Sequence, residues 1–184
     1  MEHHPEGFIL ESAPMKENTT RDILKELHRI TRAINLETRP HKLFELIMDS
    51  ALKLTRAERG FLILVKPGEG IDVKAARNLR KEHIEHPQFQ ISRGIIYETL
   101  KTGMPVIVGN AQEDDEFSKR TSVTSMRLAS VACIPLKARG SLLGVLYLDN
   151  RYRRGLFEPG DLMLLETFAD HSAIAIAAQT PRED

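Results

Sequence analysis

The chain has 184 residues, 26 acidic and 26 basic side chains and one cysteine, enough for one domain with a sizeable core but not for a sensor plus a catalytic domain. Balanced charge without a basic stripe argues against direct contact with a nucleic-acid backbone. The lone Cys133 excludes a disulfide framework and a cysteine-only zinc site and fits a cytoplasmic setting, while Met1–Glu6 shows no signal-peptide pattern and no apolar run nears the roughly 18 residues of a membrane helix.

Residues 1–18 mix Pro5, Gly7, Pro14 and charges without apolar periodicity and read as a flexible tail. A helix is predicted from Thr20, with Ile23, Leu27, Ile30 and Ile34 forming a narrow seam. A second helix starts near Pro40, which suits a first-turn position, and presents Leu43, Phe44, Ile47, Met48, Ala51 and Leu52 to a core. The stretch from Gly60 to Lys66 is apolar on both alternating faces, as in an interior strand covered on both sides. Turn chemistry at residues 67–70 folds it onto a second strand, Ile71 to Asn78.

Further strands are predicted at Phe89–Ile91 and Pro105–Val108, around a helix capped by Ser92 and stopped at Gly103. Residues 109–129 lack a sustained period and read as a long functional loop. Ser130–Pro135 and Leu142–Asp149 form a second hairpin, and Pro159 opens a last helix running to about Gln179. The expectation is an α+β domain over residues 19–179, with a mainly antiparallel sheet of about six strands, helices packed on it, and its first and last helices adjacent. Residues 180–184 are a tail or the start of a linker.

Several segments resemble the GAF family in family order: Glu58-Arg-Gly-Phe-Leu62, Ala75-Ala-Arg-Asn78, Ile91-Ser-Arg-Gly-Ile-Ile96, Thr102-Gly-Met-Pro-Val-Ile107, Ser130-Val-Ala-Cys-Ile-Pro-Leu136, Gly144-Val-Leu-Tyr-Leu-Asp-Asn150 and Phe157. The resemblance spans roughly residues 23–179 and is strongest to sensor domains of bacterial sigma-54-dependent regulators of the NtrC type. It implies a GAF/PAS-like sheet and a non-catalytic sensory role. It also implies a covalently linked output domain in a longer native chain, an AAA+ ATPase, a kinase or a cyclase; with no phosphate-cradling loop in this sequence, an ATPase output would lie beyond Asp184.

The chemistries known in the family fit these residues poorly. Asn150-Arg151, Phe157 and Asp161 partly match a cyclic-nucleotide signature, but Leu162 stands where its glutamate belongs. A methionine-sulfoxide reductase needs a second thiol to resolve the oxidised nucleophile, and Cys133 has no companion. Bilin attachment follows a Cys-His pair, whereas Ile134 follows Cys133. An iron site would draw on Asp149, Asp114, Asp115, Arg127 and Cys133, against the plainer reading of solvated loop acids and a buried thiol. His83, His86 and His171 read as surface or packing residues, and no catalytic triad is visible.

The resemblance places a pocket for an unidentified small molecule between the sheet and its covering loop and helix, at Asn78, Ile91, Ser92, Asp114, Phe117, Met126, Arg127, Ser130, Cys133 and Asp149. Arg127 suits an anion, the serines suit hydrogen bonding, and Phe117 and Met126 suit an apolar wall. The seam Ile23, Leu27, Ile30, Ile34 is a candidate homodimer contact, or equally the face that covers the domain's own sheet. A ligand-free dimerisation or docking module is the rival reading.

Overall fold

Along the three longest apolar segments, large side chains alternate between two directions, and both directions are buried. This requires a sheet covered on each face. A computed structural model describes residues 14–179, with side chains from Thr20 onward. Its helices are α1 (Pro14–Leu36), α2 (Pro40–Thr55), α3 (Arg93–Thr102), α4 (Thr121–Ser125) and α5 (Leu162–Gln179), and its strands are β1 (Arg59–Lys66), β2 (Gly70–Asn78), β3 (Val106–Val108), β4 (Ser130–Ala138) and β5 (Ser141–Asn150). Every neighbouring strand pair is antiparallel, in the order β2-β1-β5-β4-β3.

Both hairpins form as the turn residues dictate. Gly68 and Gly70 take positive φ between β1 and β2, and Arg139 (φ 53°) followed by Gly140 (φ 78°) makes the two-residue left-handed turn between β4 and β5. At Gly144, β5 runs so close to β1 that an added Cβ would lie 2.0 Å from the Ile63 carbonyl oxygen. Pro40 occupies the first turn of α2 as expected.

One face of the sheet, carrying Leu62, Ala132, Ile134, Leu146 and Leu148, packs under α1, α2 and α5 through Ile30, Ile34, Leu43, Ile47, Met48, Leu165 and Phe168. The opposite face, with Phe61, Ile63, Val131, Cys133, Val145 and Tyr147, packs under α3 and α4 through Ile95, Ile96 and Val123. Phe61 and Tyr147 meet edge to face at 5.7 Å, a contact worth about 0.5–1.5 kcal/mol beyond area burial. The expected adjacency of the terminal helices holds: α1 lies against α5, and Gln179 Nε2 donates to the Glu37 carbonyl at 2.6 Å.

Three expectations need correction. The sheet has five strands, because Phe89–Ile91 is not one of them. Pro87 lacks an N–H for a ladder and follows His86 at φ 49°, so the chain turns through a short 3-10 helix at Pro87–Phe89. The first helix starts at Pro14, taking in residues assigned to the tail, whose remainder (residues 1–13) lies outside the described residues, as do residues 180–184. The long loop is partly helical: Asp114 Oδ1 accepts from the backbone N–H groups of Glu116 and Phe117, both at 2.9 Å, and a 3-10 turn and α4 follow. Of the two readings left open for the seam on α1, coverage of the domain's own core is what Ile30 and Ile34 do, at 2% and 1% exposed, with Ile23 its most exposed member.

Candidate functional site

The face of the sheet beneath α3 and α4 carries an unusual polar row. Tyr147 and Asp149 sit two residues apart on β5 and so share a face, and Cys133 is the β4 partner of Tyr147. Arg59, at the start of β1, pairs in register with Asp149 and grips it with a bidentate fork, Nε to Oδ1 at 2.8 Å and Nη2 to Oδ2 at 2.7 Å. Both side chains are buried. Burial pushes the Asp149 carboxyl above its ordinary range, while the Arg59 guanidinium opposes that rise.

Tyr147 is fully buried, its hydroxyl near the Asp149 carboxylate and the Ser92 backbone but in no hydrogen bond of ordinary geometry among the described residues; burial, then the nearby Asp149 charge, pushes the phenol well up. Thr99 Oγ1, on the covering helix α3, is likewise buried with no ordinary hydrogen bond among the described residues; the Cys133 thiol, a weak hydrogen-bonding group, lies beside it. Burial raises that thiol to about 12, which removes the thiolate a nucleophile needs. Ser92 Oγ and Ser122 Oγ stand 2.6 Å apart and tie the start of α3 to α4.

The ten residues expected to line a pocket therefore divide. Ile91, Ser92 and Cys133 meet in the interior under α3 and α4, with Phe117 and Met126 packed at its margin. Ser92 stands at the cap position of α3 but its hydroxyl does not cap it. Asp149 joins the interior through Arg59. Met126 and Arg127 also line an open cleft of about 540 Å³ outside the sheet, with Arg59, Phe89, Gln90, Arg151 and Tyr152.

Three residues are instead consumed by local structure. Asn78 Oδ1 accepts from the N–H groups of Arg80 and Glu82, Asp114 builds the turn described above, and Ser130 Oγ donates to the Arg153 carbonyl at 2.8 Å. Among the described residues, no three His, Cys, Asp or Glu side chains are grouped to hold a metal ion. None of their helices is long and apolar enough to cross a membrane.

Sequence reasoning passed over Arg59 and Tyr147. A signal for both was present. An arginine opening a strand that is apolar on both faces must bury its head or find an acid, and period-two counting places Tyr147 on the same face as Asp149.

A family model described as the GAF domain matches residues 39–176. The Nif-specific regulatory protein of Azospirillum lipoferum is 26% identical over 138 residues, which make up 73% of this chain and 22% of that protein. A probable 3',5'-cyclic phosphodiesterase of Caenorhabditis elegans is 27% identical over 141 residues, 71% of this chain and 19% of that protein. This chain thus spans about a fifth of the length of those relatives.

Among solved structures, the GAF domain of an Acinetobacter phosphoenolpyruvate-protein phosphotransferase superposes with a TM-score of 0.67 at 19% identity, over 88% of this chain and 97% of that one. The free methionine-R-sulfoxide reductase of Neisseria meningitidis, solved with its substrate, superposes at 0.65 and 18% identity, over 96% and 98%. These two likenesses speak to the fold alone. The match to the Nif regulator fits the expected kinship with sensor domains of bacterial transcriptional regulators. With the family model spanning α2 to α5 and every strand between them, the chain belongs to the GAF domain family.

Proposed function

We propose that the chain is a non-catalytic, cytoplasmic regulatory module of a longer signalling protein, binding a small molecule between the sheet and the α3–α4 cover and relaying its presence through α1 and α5 to an output domain. The observation that carries this reading is the pair of buried hydroxyls without an ordinary hydrogen bond, Tyr147 Oη and Thr99 Oγ1, on the two sides of that interior, with Asp149 and the Cys133 thiol among their polar neighbours. A buried polar group without a partner is unfavourable by about 1–3 kcal/mol, and a guest offering hydrogen bonds relieves it. The non-catalytic part of this reading is supported by Cys133, whose thiol burial holds in the neutral form. A buried thiol alone in the chain supports neither acyl transfer nor sulfoxide reduction.

The terminal helices suit relay because α5 touches both α1 and α2 and carries exposed apolar residues on its outer side, Met163 at 79% and Ile174 at 55%. With Leu24 on α1, these supply the homodimer contact in this reading. Sedimentation of a Met163→Glu, Ile174→Glu variant tests that contact. A dimer of unchanged strength would remove it.

A second reading, a ligand-free docking module, has its own support: the interior is filled by Phe61, Ile63, Ile95, Val123 and Tyr147. Native mass spectrometry of freshly purified protein separates the two. Sensing predicts a small-molecule adduct that Tyr147→Phe with Thr99→Val weakens. An adduct-free protein whose melting temperature ignores both substitutions supports docking.

A further inference from the structure

The open cleft outside the sheet is distinct from the interior just discussed. Its floor is Arg59, and its walls come from three places: the 3-10 turn after Pro87 gives Phe89 and Gln90, the end of α4 gives Met126 and Arg127, and the residues following β5 give Arg151 and Tyr152. Three guanidiniums line it and no carboxylate does, in a chain whose formal charges cancel.

The three arginines are not equivalent. Arg59 is answered by Asp149, and Arg151 by Glu58, whose carboxylate also accepts the Arg151 backbone N–H at 2.9 Å. Arg127 is exposed, and no acid among the described residues pairs with it. One uncompensated cation in an acid-free cleft selects a single negative charge. A guanidinium fork matches the two oxygens of a carboxylate.

The walls add a second preference. Phe89 and Tyr152 are 74% and 78% exposed, far more than aromatic rings of a settled surface, and both line this cleft. Gln90 is already fixed, accepting from Arg59 Nη1 at 3.2 Å and donating to the Glu85 carbonyl at 2.7 Å, so the floor is preorganised. A volume of about 540 Å³ lies within the ordinary range for small-molecule sites. We propose that this cleft binds a flat monoanion, an aromatic ring bearing one carboxylate, with Arg127 as its charge partner and Phe89 and Tyr152 against the ring.

The backbone at Arg127 allows a clean test. Arg127 ends α4 in the left-handed region at φ 53°, with its N–H on the Thr124 carbonyl at 3.2 Å. A glycine is at ease in that conformation, so Arg127→Gly removes the charge without straining the fold. The chain has no tryptophan, so Phe89→Trp installs a single fluorescent reporter on the cleft wall.

In that protein, 4-nitrobenzoate is expected to quench the reporter saturably, and the neutral 4-nitrobenzyl alcohol to bind at least about tenfold more weakly, the scale of one charge-assisted hydrogen bond. Adding Arg127→Gly should abolish the preference while the melting temperature holds or rises, and Arg127→Lys should restore most of it. Tyr147→Phe, which alters only the interior, should leave quenching unchanged. The proposal is overturned by quenching that rises linearly and equally with both compounds, by a preference that survives Arg127→Gly, or by loss of binding in Tyr147→Phe.

Discussion

Replacing Asp149 by Asn leaves the Arg59 guanidinium in a site where its side chain is only 6% exposed. The two carboxylate contacts at 2.8 and 2.7 Å lose their charge, and the remaining acceptor is Gln90 Oε1 at 3.2 Å. Breaking one side of a buried pair typically destabilises by about 3–5 kcal/mol. For a domain of this size that lowers the melting temperature by about 6–20 °C. Replacing both partners at once, Arg59→Met with Asp149→Leu, removes the stranded charge and should recover to within about 1 kcal/mol of the parent.

Urea unfolding followed by far-ultraviolet circular dichroism, run on parent, both single variants and the double variant, gives the coupling energy directly. Additive losses, with the double variant the least stable of all, would refute the reasoning. The pH dependence has a defined sign. Because the folded Asp149 carboxyl is raised, its contribution favours the folded state at low pH and is lost as pH rises through its folded value, so this pair does not drive acid unfolding.

Acid sensitivity should come instead from Glu26, held down to about 2 by hydrogen bonds from Arg29 and from Lys53 of α2. Its stabilisation of the α1–α2 contact is complete above the ordinary value of 4.5 and fades as pH falls toward about 2; Glu26→Gln should flatten the unfolding profile across that window, and an unchanged profile refutes the assignment. Gly144→Ala places a Cβ against backbone of β1 and should destabilise by about 1–3 kcal/mol in urea titration, whereas a change of a few tenths would mean the strands part freely. Cys133 should resist Ellman's reagent in the folded protein and react promptly in denaturant; fast labelling of the native state would place its thiol nearer the surface than 0% exposure allows.

The sheet was legible because its strands obey period two so strictly. Phe61, Ile63 and Tyr147 point one way, Leu62, Leu146 and Leu148 the other, and each set finds its own core. Glycine and proline punctuation located both hairpins and α2. The errors share one cause: short segments whose shape is set by side chain to backbone bonds rather than by hydrophobic period. Asp114 starts a helical turn in a stretch that reads as loop, and Pro87 starts a 3-10 turn that runs into the segment read as a strand. The site was half legible for a related reason. The family resemblance marked Ser130, Asn78 and Asp114 as pocket residues, yet each is committed to a turn or a carbonyl. Arg59 and Tyr147 were hidden among the apolar residues of their strands. The seam on α1 shows the limit of a single stripe, since one sequence pattern serves equally for a partner helix or for the chain's own sheet.

A five-residue helix cannot persist on its own, because the first turn fixes several residues for one hydrogen bond. α4 is therefore held by what it touches: Val123 in the second core, the Ser92–Ser122 contact to α3, and the backbone turn that ends at Arg127. The first two belong to the interior and the third to the outer cleft. α4 is thus the one element that touches both places, and a guest in the proposed interior site that displaced α4 would be felt at Arg127, whereas a side-chain change that leaves α4 in place would not. The Arg59 side chain reinforces the link from below, with its guanidinium on Asp149 and Gln90 at once. Under the proposed function, the requirement falls on that cover: its docking energy must be small enough for a ligand to shift.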